Sequence, residues 1–404
     1  MKVSFKTCMN KILINLALAA VLLAPVSTFA ATFQVSGWIP YWEVKAGTRD
    51  AIKHLDVLTE INPFAFVVKS NGQIDDMAKL RKSDWTRLFK KARAEDIKII
   101  PTVMTSDTNG IHEILSNPDT RKDHIEAIVK MVQRGKYDGV DIDYEGKKSQ
   151  TRDYYSAFLK ELKAELGDKI LSCTIEARTP PTSLYRVVPS SIDYVNDYAV
   201  IGQYCDQVKI MTYDQQRADL KLNDAKKGFP YAPVADVDWV RKVVALTVQS
   251  IPKEKIHLGI PTYGRIWEIG VEPQQFKTYS QIKATNHIPA TELADDLGIT
   301  PIRNLAGELS YTYIPETTTD PISSVIRATA SAVPGSAGNG SVTALAALAF
   351  SNSSKLPARF NIVWWSDAEA VRQKVALAKE FGLGGVALFK IDGDEDQALW
   401  DHLD

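Results

Sequence analysis

The chain has 404 residues, of which 45% are hydrophobic and 24% are charged, and its formal net charge is -1. This composition is typical of a globular protein, and the length suits one large domain or two smaller ones. Because the charges nearly balance, the protein has no overall basic field, so we expect neither a nucleic acid nor an anionic membrane surface as a partner.

Residues 1–30 have the pattern of a secretory signal peptide. Lys2, Lys6 and Lys11 form a basic stretch, residues 12–24 are almost all apolar, and residues 28–30 place small side chains where a signal peptidase cleaves. The apolar run is too short to cross a bilayer as a stable helix, and an uncleaved membrane anchor is the alternative. The pattern predicts a secreted or periplasmic protein with no stable membrane anchor after cleavage.

Cysteine and histidine residues are few. Cys8 lies in the signal segment, which leaves Cys173 and Cys205 in the mature chain. In an oxidising compartment these two could form one disulfide, and two buried free thiols are an equally good interpretation. The histidines do not have the paired spacing of zinc ligands, so we expect no metal site and no cofactor; they are His54, His112, His124, His257, His287 and His402.

Eight short β-type runs follow one another along the chain, and helical periodicity separates most of them. The runs cover residues 33–41, 60–68, 97–104, 139–144, 170–177, 208–213, 257–262 and 385–391. The helical stretches include residues 121–134, 152–166 and 367–380. Alternating strands and helices predict a parallel sheet, and eight such units predict an α/β fold, the closed (β/α)8 TIM barrel. A doubly wound open sheet is the alternative.

The spacing of the runs is regular except between the seventh and the eighth. This gap, about 268–363, is much longer than one crossover connection needs, so it predicts a small insertion subdomain in a catalytic barrel of residues 31–404. Within the gap, residues 317–356 are rich in Ala, Ser, Thr and Gly. That composition suggests a mobile loop or a poorly ordered excursion.

The fourth run carries a row of carboxylates. Side chains alternate across a strand, so Asp141, Asp143 and Glu145 share one face, and apolar or aromatic side chains occupy the other. In a barrel the acidic face would point inward and end at the C-terminal mouth, where barrel enzymes have their active sites. A Ca²⁺ or Mg²⁺ site built from these oxygens is the alternative. A merely solvated face fits less well, because the strand must be buried on both sides.

Three like charges on one face raise the pKa of at least one of these carboxyls, so one of them holds a proton near neutral pH. Cleavage of a glycosidic bond needs such a proton donor, because the leaving oxygen is a poor anion. Glu145, at the rim of the predicted barrel, is best placed to donate the proton.

Four segments, in chain order, resemble the signatures of the glycoside hydrolase family 18 chitinases and their relatives. They are DGVDIDYE at 138–145, MTYD at 211–214, LGIPTYGR at 258–265 and LGGV at 383–386, which continues to Asp392. Their order and spacing cover essentially the whole mature chain. Segments 38–42 and 58–64 resemble the bacterial branch of the family that includes spore-cortex and cell-wall N-acetylglucosaminidases.

The resemblance implies a substrate-assisted mechanism, in which the N-acetyl carbonyl of the substrate is the nucleophile. It implies that Glu145 protonates the leaving oxygen and later activates water. Asp143 would hold the acetamido N–H and stabilise the developing positive charge, while Asp141 would share a proton with Asp143. Tyr213 would donate a hydrogen bond to the acetamido oxygen and so fix it under the anomeric carbon.

The same resemblance supplies candidates for substrate binding. Asp214 would bind the same sugar, and Met211 would pack in the floor of its site. The segment of the seventh strand brings Tyr263 and Arg265 to the rim. The family usually carries a tryptophan platform on the eighth strand, where this chain has Phe389. The smaller ring offers less stacking area, which disfavours tight, processive binding of crystalline chitin and leaves the chemistry unaffected.

Aromatic residues cluster where the predicted strands reach the mouth of the barrel. Rings cover the apolar faces of pyranoses, so Tyr41 and Trp42, after the first run, are also candidates for substrate binding. Any one such residue is more often part of the core than a ligand contact. Four further aromatic residues share such positions, namely Trp38, Trp267, Trp364 and Trp365.

Polar positions on the fifth and sixth runs have two interpretations each. Lys209 has the same parity as Tyr213, one layer deeper; in the core it would pair with Asp141 or a neighbouring acid, because an unpaired buried charge is costly. Alternatively the strand starts later and leaves Lys209 outside the core. Glu176 falls at the mouth, with Arg178 just beyond it. These two residues could line a sugar subsite or form a structural ion pair, which we favour.

The sequence therefore predicts a glycoside hydrolase that cleaves β-1,4-linked N-acetylglucosamine polymers by retaining, substrate-assisted catalysis. Its partner is a polysaccharide or oligosaccharide containing N-acetylglucosamine, either chitin and its oligosaccharides or peptidoglycan. A lectin-like glycan-binding protein on the same barrel is the alternative class, but such relatives typically lose the catalytic acid, whereas Glu145 is present here. A metal-dependent enzyme is a third interpretation, and it would lose activity with a chelator.

Overall fold

The computed structural model describes residues 33–332 and 338–403. The signal peptide predicted at 1–30 lies outside the described residues, so its prediction stays a prediction. Within the described part of the chain, no helix is both long and apolar enough to cross a membrane.

Eight parallel strands form a closed ring. In their order around the ring they are β1 Gln34–Pro40, β2 Glu60–Val68, β5 Thr102–Thr105, β6 Gly139–Tyr144, β7 Ile170–Glu176, β8 Gln207–Met211, β9 Ile256–Pro261 and β15 Gly385–Phe389. Strand β1 pairs in parallel with both β2 and β15, which closes the ring. The (β/α)8 barrel prediction is therefore confirmed, and the open doubly wound sheet was the wrong alternative.

The third predicted run, 97–104, is the one that the structure divides. It consists of β4 Lys98–Ile99 and β5, and the two strands are separated by Ile100 and Pro101. Proline has no N–H to donate to a ladder, so it interrupts regular pairing. A short hairpin strand, β3 Ile74–Asp76, pairs antiparallel with the end of β2.

Helices cover the outside of the barrel, and six of the ten that the structure describes there begin at a side-chain cap. For example, Asn117 accepts hydrogen bonds from the backbone N–H groups of Asp119 and Thr120, and Pro118 occupies the first helical position. The helices of the barrel are α1 Val44–Lys53, α2 Ser83–Ala94, α3 Thr108–Ser116, α4 Pro118–Gly135, α5 Arg152–Leu166, α6 Pro181–Leu184, α7 Tyr198–Tyr204, α8 Leu220–Ala225, α9 Val237–Thr247 and, near the end of the chain, α13 Ala368–Phe381. Short 3₁₀ turns span Ser149–Thr151, Lys253–Lys255 and Gln397–His402.

The outer face of β6 packs against the surrounding helices. Val140 and Ile142 are fully buried, and the ring of Tyr144 stacks on Phe158 of α5 with 5.6 Å between centroids. The hydroxyl of Tyr144 pairs with Nε2 of His124 on α4. This packing fixes the strand so that its other face, which carries the carboxylates, points into the barrel.

Cys173 and Cys205 form a disulfide. Cys173 lies in β7, Cys205 follows α7, and their Cα atoms are 6.0 Å apart. Both residues are fully buried. Of the two interpretations that the sequence left open, the structure therefore has the disulfide, which ties a barrel strand to the end of the helix beyond it.

A second sheet lies in the chain between β9 and β15. Its five antiparallel strands have the spatial order β11-β10-β14-β13-β12 and the bounds β10 Tyr263–Glu272, β11 Gln275–Asn286, β12 Ile302–Arg303, β13 Leu309–Tyr313 and β14 Ala358–Trp365. The helix α10 His287–Asp296 packs beside it. This sheet lies between the seventh and eighth barrel strands, where the sequence predicts an insertion, and its assignment as a separate subdomain stays a prediction.

The expectation of a mobile loop at 317–356 was wrong for most of this segment. The described part contains two helices, α11 Pro321–Ala332 and α12 Val342–Ser354, which contact each other and β14. Alanine has the highest helix propensity, and Ala344 and Ala347 of α12 are fully buried. The small side chains that suggested disorder instead allow close helix packing.

Candidate active site

Asp141 is the innermost carboxylate of the row, and four neutral donors surround it. The indole N–H of Trp38 and the hydroxyl of Thr102 donate to Oδ2, at 3.2 and 2.9 Å. The hydroxyls of Ser172 and Thr174 donate to Oδ1, at 2.8 and 2.9 Å. These donors come from the two strands beside β6, which are β5 and β7, and from β1 across the ring, so three strands fix the Asp141 carboxylate as an acceptor.

Asp143 lies one layer above and is also buried, with 4% of its surface exposed. Its Oδ1 makes no hydrogen bond within the described residues. Burial raises the pKa of Asp143 well above its usual range, and the charges of Glu145 and Asp141 raise it further. These effects favour the protonated form of Asp143, whereas the prediction that one member of the row holds a proton near neutral pH stays a prediction.

Glu145 follows the end of β6, and its backbone N–H donates to the carbonyl oxygen of Thr105 at 2.9 Å. Partial burial raises its pKa first, and the negative charge of Glu176 raises it further. A glutamic acid with a raised pKa at an open cavity can act as a proton donor. The rim position predicted for Glu145 is where the structure has it.

A buried lysine balances these acids, and the sequence analysis missed it. Lys147 donates to the carbonyl oxygen of Tyr144, and its Nζ lies 3.6 Å from Oε2 of Glu176. Its charge lowers the pKa values of both Asp143 and Glu145. Lys147 therefore opposes the burial that favours the protonated forms of the two carboxyls.

Glu176 lies at the mouth as predicted, but its favoured ion pair with Arg178 was wrong. Glu176 contacts Lys147, and it also accepts hydrogen bonds from the N–H of Gly146 at 3.0 Å and from Nδ2 of Asn196 at 2.8 Å. The loop after β6 lies beside Glu176 and contributes Lys147 as the cation of its ion pair. Arg178 instead donates to the carbonyl oxygen of Asn196 at 2.8 Å.

Tyr213 follows the end of β8, with its ring parallel to that of Phe389 at 5.3 Å. Burial raises the pKa of Tyr213 well above its usual range, and nearby Tyr263 and Asp143 raise it further. The phenol therefore remains an O–H donor at any physiological pH. A side chain at Gly259 would collide with the carbonyl of Ile210 and press on the Tyr213 ring, so glycine at this position keeps room for the tyrosine.

Asp214 and Arg265 form an ion pair at the rim. Nε of Arg265 donates to Oδ1 of Asp214 at 2.8 Å, and the second nitrogen lies 2.5 Å from the same oxygen. Asp214 has a φ of 53°, in the left-handed region that aspartate tolerates better than most residues. The pair fixes the turn that follows Tyr213.

A cavity of about 350 Å³ opens over these groups. Of the residues that the sequence analysis selected, seven line it, namely Asp143, Glu145, Glu176, Met211, Tyr213, Asp214 and Phe389. Asp141 lies beneath it. The cavity is lined on one side by the acidic row and on another by the Phe389 and Tyr213 rings, so it can hold a ring-shaped ligand beside the proton donor.

Four selected residues do not line this cavity. Tyr263 is buried and packs edge-on against Phe389 at 6.0 Å, and Arg265 is held by Asp214. Tyr41 is half-buried, whereas Trp42 is 47% exposed. Tyr41 and Trp42 contact each other, with 4.9 Å between ring centroids. Their contact with a longer substrate stays a prediction.

Trp364 and Trp365 belong to the core of the inserted sheet. Both are buried, and their indole N–H groups donate to Glu308 at 2.6 Å and to His287 at 3.2 Å. Trp267 is also buried. For these three residues, the more common core interpretation is the right one.

Six lining residues were not selected for the site from the sequence. One is Trp38, which was named only among the aromatic residues at the predicted mouth, and the others are Phe64, Ala177, Thr179, Ala218 and Trp239. Strand parity could have identified two of them, because Trp38 shares a face with Ser36 in β1, and Phe64 shares one with Glu60 and Asn62 in β2. Thr179 and Trp239 carry no such signal. They meet only because a loop and the start of α9 come together, where Nε1 of Trp239 donates to Thr179 at 2.7 Å.

Lys209 lies in the barrel core, and its partner is Glu60 rather than Asp141. The distance from Nζ to Oε1 is 2.7 Å, and both side chains are fully buried. Burial raises the pKa of Glu60, but Lys209 and His257 outweigh it and hold the pKa below its usual value. Burial lowers the pKa of His257 to about 4, so this histidine is neutral. Neither Lys209 nor Glu60 lines the cavity.

The chemistry of the row does not suit a divalent cation. The oxygens of Asp141 are occupied by hydroxyl and indole donors, whereas Ca²⁺ and Mg²⁺ need free acceptor oxygens. The cation of Lys147 already lies beside the carboxyls. Among the described residues, no group of three or more His, Cys, Asp or Glu side chains is arranged to hold a metal ion.

Comparison with known proteins gives concordant results. The chain is 28% identical over 223 residues to the putative sporulation-specific glycosylase YdhD of Bacillus subtilis, covering 53% of this chain and 48% of that protein. It thus matches about half the length of this relative. The spore cortex-lytic enzyme SleL of Bacillus cereus superimposes with a TM-score of 0.66 at 19% identity, over 92% of this chain and 73% of that one.

A chitinase from Chromobacterium violaceum superimposes with a TM-score of 0.65 at 18% identity, over 92% of this chain and 98% of that one. The model of the glycosyl hydrolases family 18 matches residues 34–394, nearly the whole described chain. The protein with this acidic row at the mouth of its barrel is therefore a glycosidase that belongs to glycosyl hydrolases family 18.

Proposed function

We propose that this glycosidase cleaves β-1,4-linked N-acetylglucosamine polymers with retention of configuration, by substrate-assisted catalysis. One observation carries the proposal: Asp143 with its raised pKa and a free buried oxygen, the acid Glu145 and the hydroxyl of Tyr213 belong to the same cavity of about 350 Å³. An acetamido nucleophile requires an acceptor for its N–H, a donor to its carbonyl oxygen and an acid for the leaving oxygen. Asp143, Tyr213 and Glu145 can fill these three roles.

Glu145 acts first as the acid. Its raised pKa favours the protonated form, and the proton passes to the leaving oxygen as the glycosidic bond breaks. The acetamido carbonyl oxygen then bonds to the anomeric carbon and forms an oxazolinium ring. The Glu145 carboxylate next removes a proton from the water that opens this ring, so the two displacements retain the configuration.

Asp143 and Tyr213 hold the acetamido group for this attack. The free Oδ1 of Asp143 accepts the acetamido N–H, and as positive charge develops its proton passes to a neighbouring acceptor, with Asp141 the nearest member of the row below. The hydroxyl of Tyr213 donates to the acetamido oxygen. Orientation of this kind can contribute several powers of ten to the rate.

Two substrates contain the required acetamido sugar: chitin with its oligosaccharides, and peptidoglycan. The names of the similar proteins include both a chitinase and a spore cortex-lytic enzyme. Both polymers lie outside the cytoplasm, and the signal-like residues 1–30 support a secreted or periplasmic enzyme.

The experiment is hydrolysis of chito-oligosaccharides and of purified peptidoglycan by the wild-type protein and by Glu145→Gln. We expect the variant to lose about 10²- to 10⁴-fold in kcat, because it keeps the shape and removes the proton. The matched control is Glu165→Gln, on the exposed face of α5. The first-formed product should be the β-anomer by NMR, and a chelator should leave the rate unchanged.

Binding of glycan without turnover by both the wild-type protein and Glu145→Gln would contradict this function. That result would support a lectin on the same barrel. Loss of activity with a chelator would instead support the metal-dependent interpretation.

A further inference from the structure

A second cavity adjoins the catalytic one. Its volume is about 340 Å³, and it shares four lining residues with the catalytic cavity, namely Glu176, Ala177, Thr179 and Ala218. Its other walls come from the segment 181–198, which contains α6 and the loop before α7. Together the two cavities form a longer groove, so a glycan that places one sugar over Glu145 can extend its neighbouring unit into the second cavity.

Arg178 lines this second cavity between two aromatic rings. Its guanidinium carbon lies 3.6 Å from the ring centroid of Tyr194 and 3.9 Å from that of Tyr198. One of its nitrogens donates to the carbonyl oxygen of Asn196 at 2.8 Å. The two rings and this hydrogen bond fix the plane of the guanidinium, and its remaining N–H donors lie at the edge of that plane.

Within the described residues, Arg178 makes no ion pair, in contrast to nearby arginines. Arg152 lies 2.7 Å from Asp197, and Arg186 lies 3.3 Å from Asp224. Burial lowers the pKa of Arg178, which nevertheless stays charged because guanidinium does not deprotonate in proteins. A cation of fixed orientation with unused donors in a cavity is a receptor for an anion.

Neither of the two acids that line this cavity, Glu176 and Asp193, forms an ion pair with Arg178. Glu176 is engaged by Lys147, by the N–H of Gly146 and by Asn196. Asp193 lies at the exposed rim. Because Asn196 donates to Glu176 and accepts from Arg178, the same residue fixes the guanidinium relative to the catalytic cavity.

We propose that Arg178 binds a carboxylate on the glycan, and that the substrate of this glycosidase is accordingly an acidic, muramyl-containing glycan rather than uncharged chitin. The inference rests on the proposed function and names its substrate class. A carboxylate in the plane of a guanidinium forms two parallel hydrogen bonds. The muramyl unit offers one either as its free lactyl carboxyl or, where that carboxyl is amide-linked, through the acids of its stem peptide.

The test compares four substrates that share the acetamido sugar. They are peptidoglycan strands freed of stem peptides, the same strands with the lactyl carboxyls reduced to alcohols, strands with intact peptides, and chito-oligosaccharides. We expect reduction of the carboxyls to lower the wild-type kcat/KM by about 10- to 100-fold, mainly through KM. A preference for the peptide-free strands identifies the lactyl carboxyl as the ligand, and a preference for the intact strands identifies the peptide.

The variants are Arg178→Gln and Arg178→Lys, with Arg186→Gln as a control that removes an equal charge from an exposed ion pair. Arg178→Gln should abolish the preference for acidic over reduced strands. Arg178→Lys should keep part of it, because a lysine retains the charge and lacks the planar fork. The control should keep the full preference, and circular dichroism and thermal unfolding of each variant test its folding.

Equal kcat/KM values for acidic, reduced and peptide-bearing strands in the wild-type protein would overturn the inference while leaving the proposed function intact. If the wild-type protein cleaves none of the four substrates, the proposed function fails. Calorimetric binding of acidic and reduced strands to Glu145→Gln, with and without Arg178→Gln, then decides the inference by itself. Equal affinity for the two strands would overturn it.

Discussion

Nζ of Lys147 lies 3.6 Å from Oε2 of Glu176, and the fully buried lysine side chain also interacts electrostatically with Asp143 and Glu145. Burial lowers the pKa of Lys147, and Glu176 opposes this effect. The lysine in turn lowers the pKa values of Asp143 and Glu145, whereas Glu176 raises them. The pair therefore controls the pH range in which Glu145 carries its proton.

Opposite shifts of the pH profile follow from this pair. Glu176→Gln removes a charge that raises the pKa of Glu145, so the alkaline limb of kcat should move to lower pH. Lys147→Met removes a charge that lowers it, so the limb should move to higher pH. Each shift should be about one pH unit. Measurement of kcat against pH checks both, and Glu165→Gln should leave the profile in place.

If neither variant displaces the alkaline limb, the electrostatic interpretation is wrong. Lys147 and Glu176 would then act by holding the loop after β6 in position. Such a role predicts a lower kcat at every pH with no displacement of the limb.

The order of the barrel strands and the row of carboxylates could be predicted because both depend on local patterns. Alternation along β6 puts Asp141 and Asp143 on one face whatever the rest of the chain does. Lys147 could not be predicted in the same way. It follows the strand in a loop, and its burial depends on how that loop folds back over Tyr155, whose ring centroid lies 4.8 Å from Nζ.

The partners of charged residues depend on the closure of the ring. Lys209 in β8 and Glu60 in β2 are separated by 149 positions in the chain, and they meet only across the interior of the closed barrel. Parity predicts that both side chains point inward, but it does not say which acid a lysine reaches. Composition was misleading at 317–356 for a related reason, because a helix buried by other elements needs few large side chains of its own.

Replacement of Asp143 by asparagine should stabilise the protein as pH rises. Burial raises the folded-state pKa of Asp143 above its ordinary value of 3.8, so its contribution to stability is fully present below pH 3.8 and is lost as pH rises through the folded-state pKa. Asparagine does not titrate. The free energy of unfolding of Asp143→Asn, relative to the wild type, should therefore increase above pH 3.8 and exceed about 1 kcal/mol at pH 8.

Urea denaturation across this pH range measures the difference. If the free energies of unfolding of Asp143→Asn and the wild type differ by the same amount at every pH, then Asp143 titrates alike in the folded and unfolded chains. Asp84→Asn, on the outer helix α2, serves as the control for the loss of one aspartate, and it should show no comparable rise.

The buried pair of Lys209 and Glu60 should be strongly coupled. Lys209→Met leaves the Glu60 carboxylate buried without its cation, which should cost about 3–5 kcal/mol at neutral pH. In the wild type the pKa of Glu60 lies below 4.5, so the pair's contribution is present above that pH and is lost as pH falls through the folded-state value. The stability that Lys209→Met loses relative to the wild type should therefore become smaller at acid pH.

The double variant Glu60→Gln with Lys209→Met separates charge from packing. Because it removes both charges, it should recover most of the stability that Lys209→Met loses at neutral pH. Chemical denaturation of the two single variants and the double variant completes the cycle. Additive losses would show that the two residues contribute independently of each other.

Removal of the disulfide should lower stability without changing the catalytic cavity. The cysteines are 32 positions apart, and closing a loop of that length in the unfolded chain is worth about 3–4 kcal/mol. Both sulfurs lie in the core, where alanine leaves only a small void, so Cys173→Ala with Cys205→Ala should unfold with about that deficit and retain its kcat. Reduction of the wild type should produce a similar loss.

If the double variant is as stable as the oxidised protein, the unfolded chain is already restricted in this region. A fall in kcat at full folding would instead show that β7 moves and carries Ser172 and Thr174 away from Asp141.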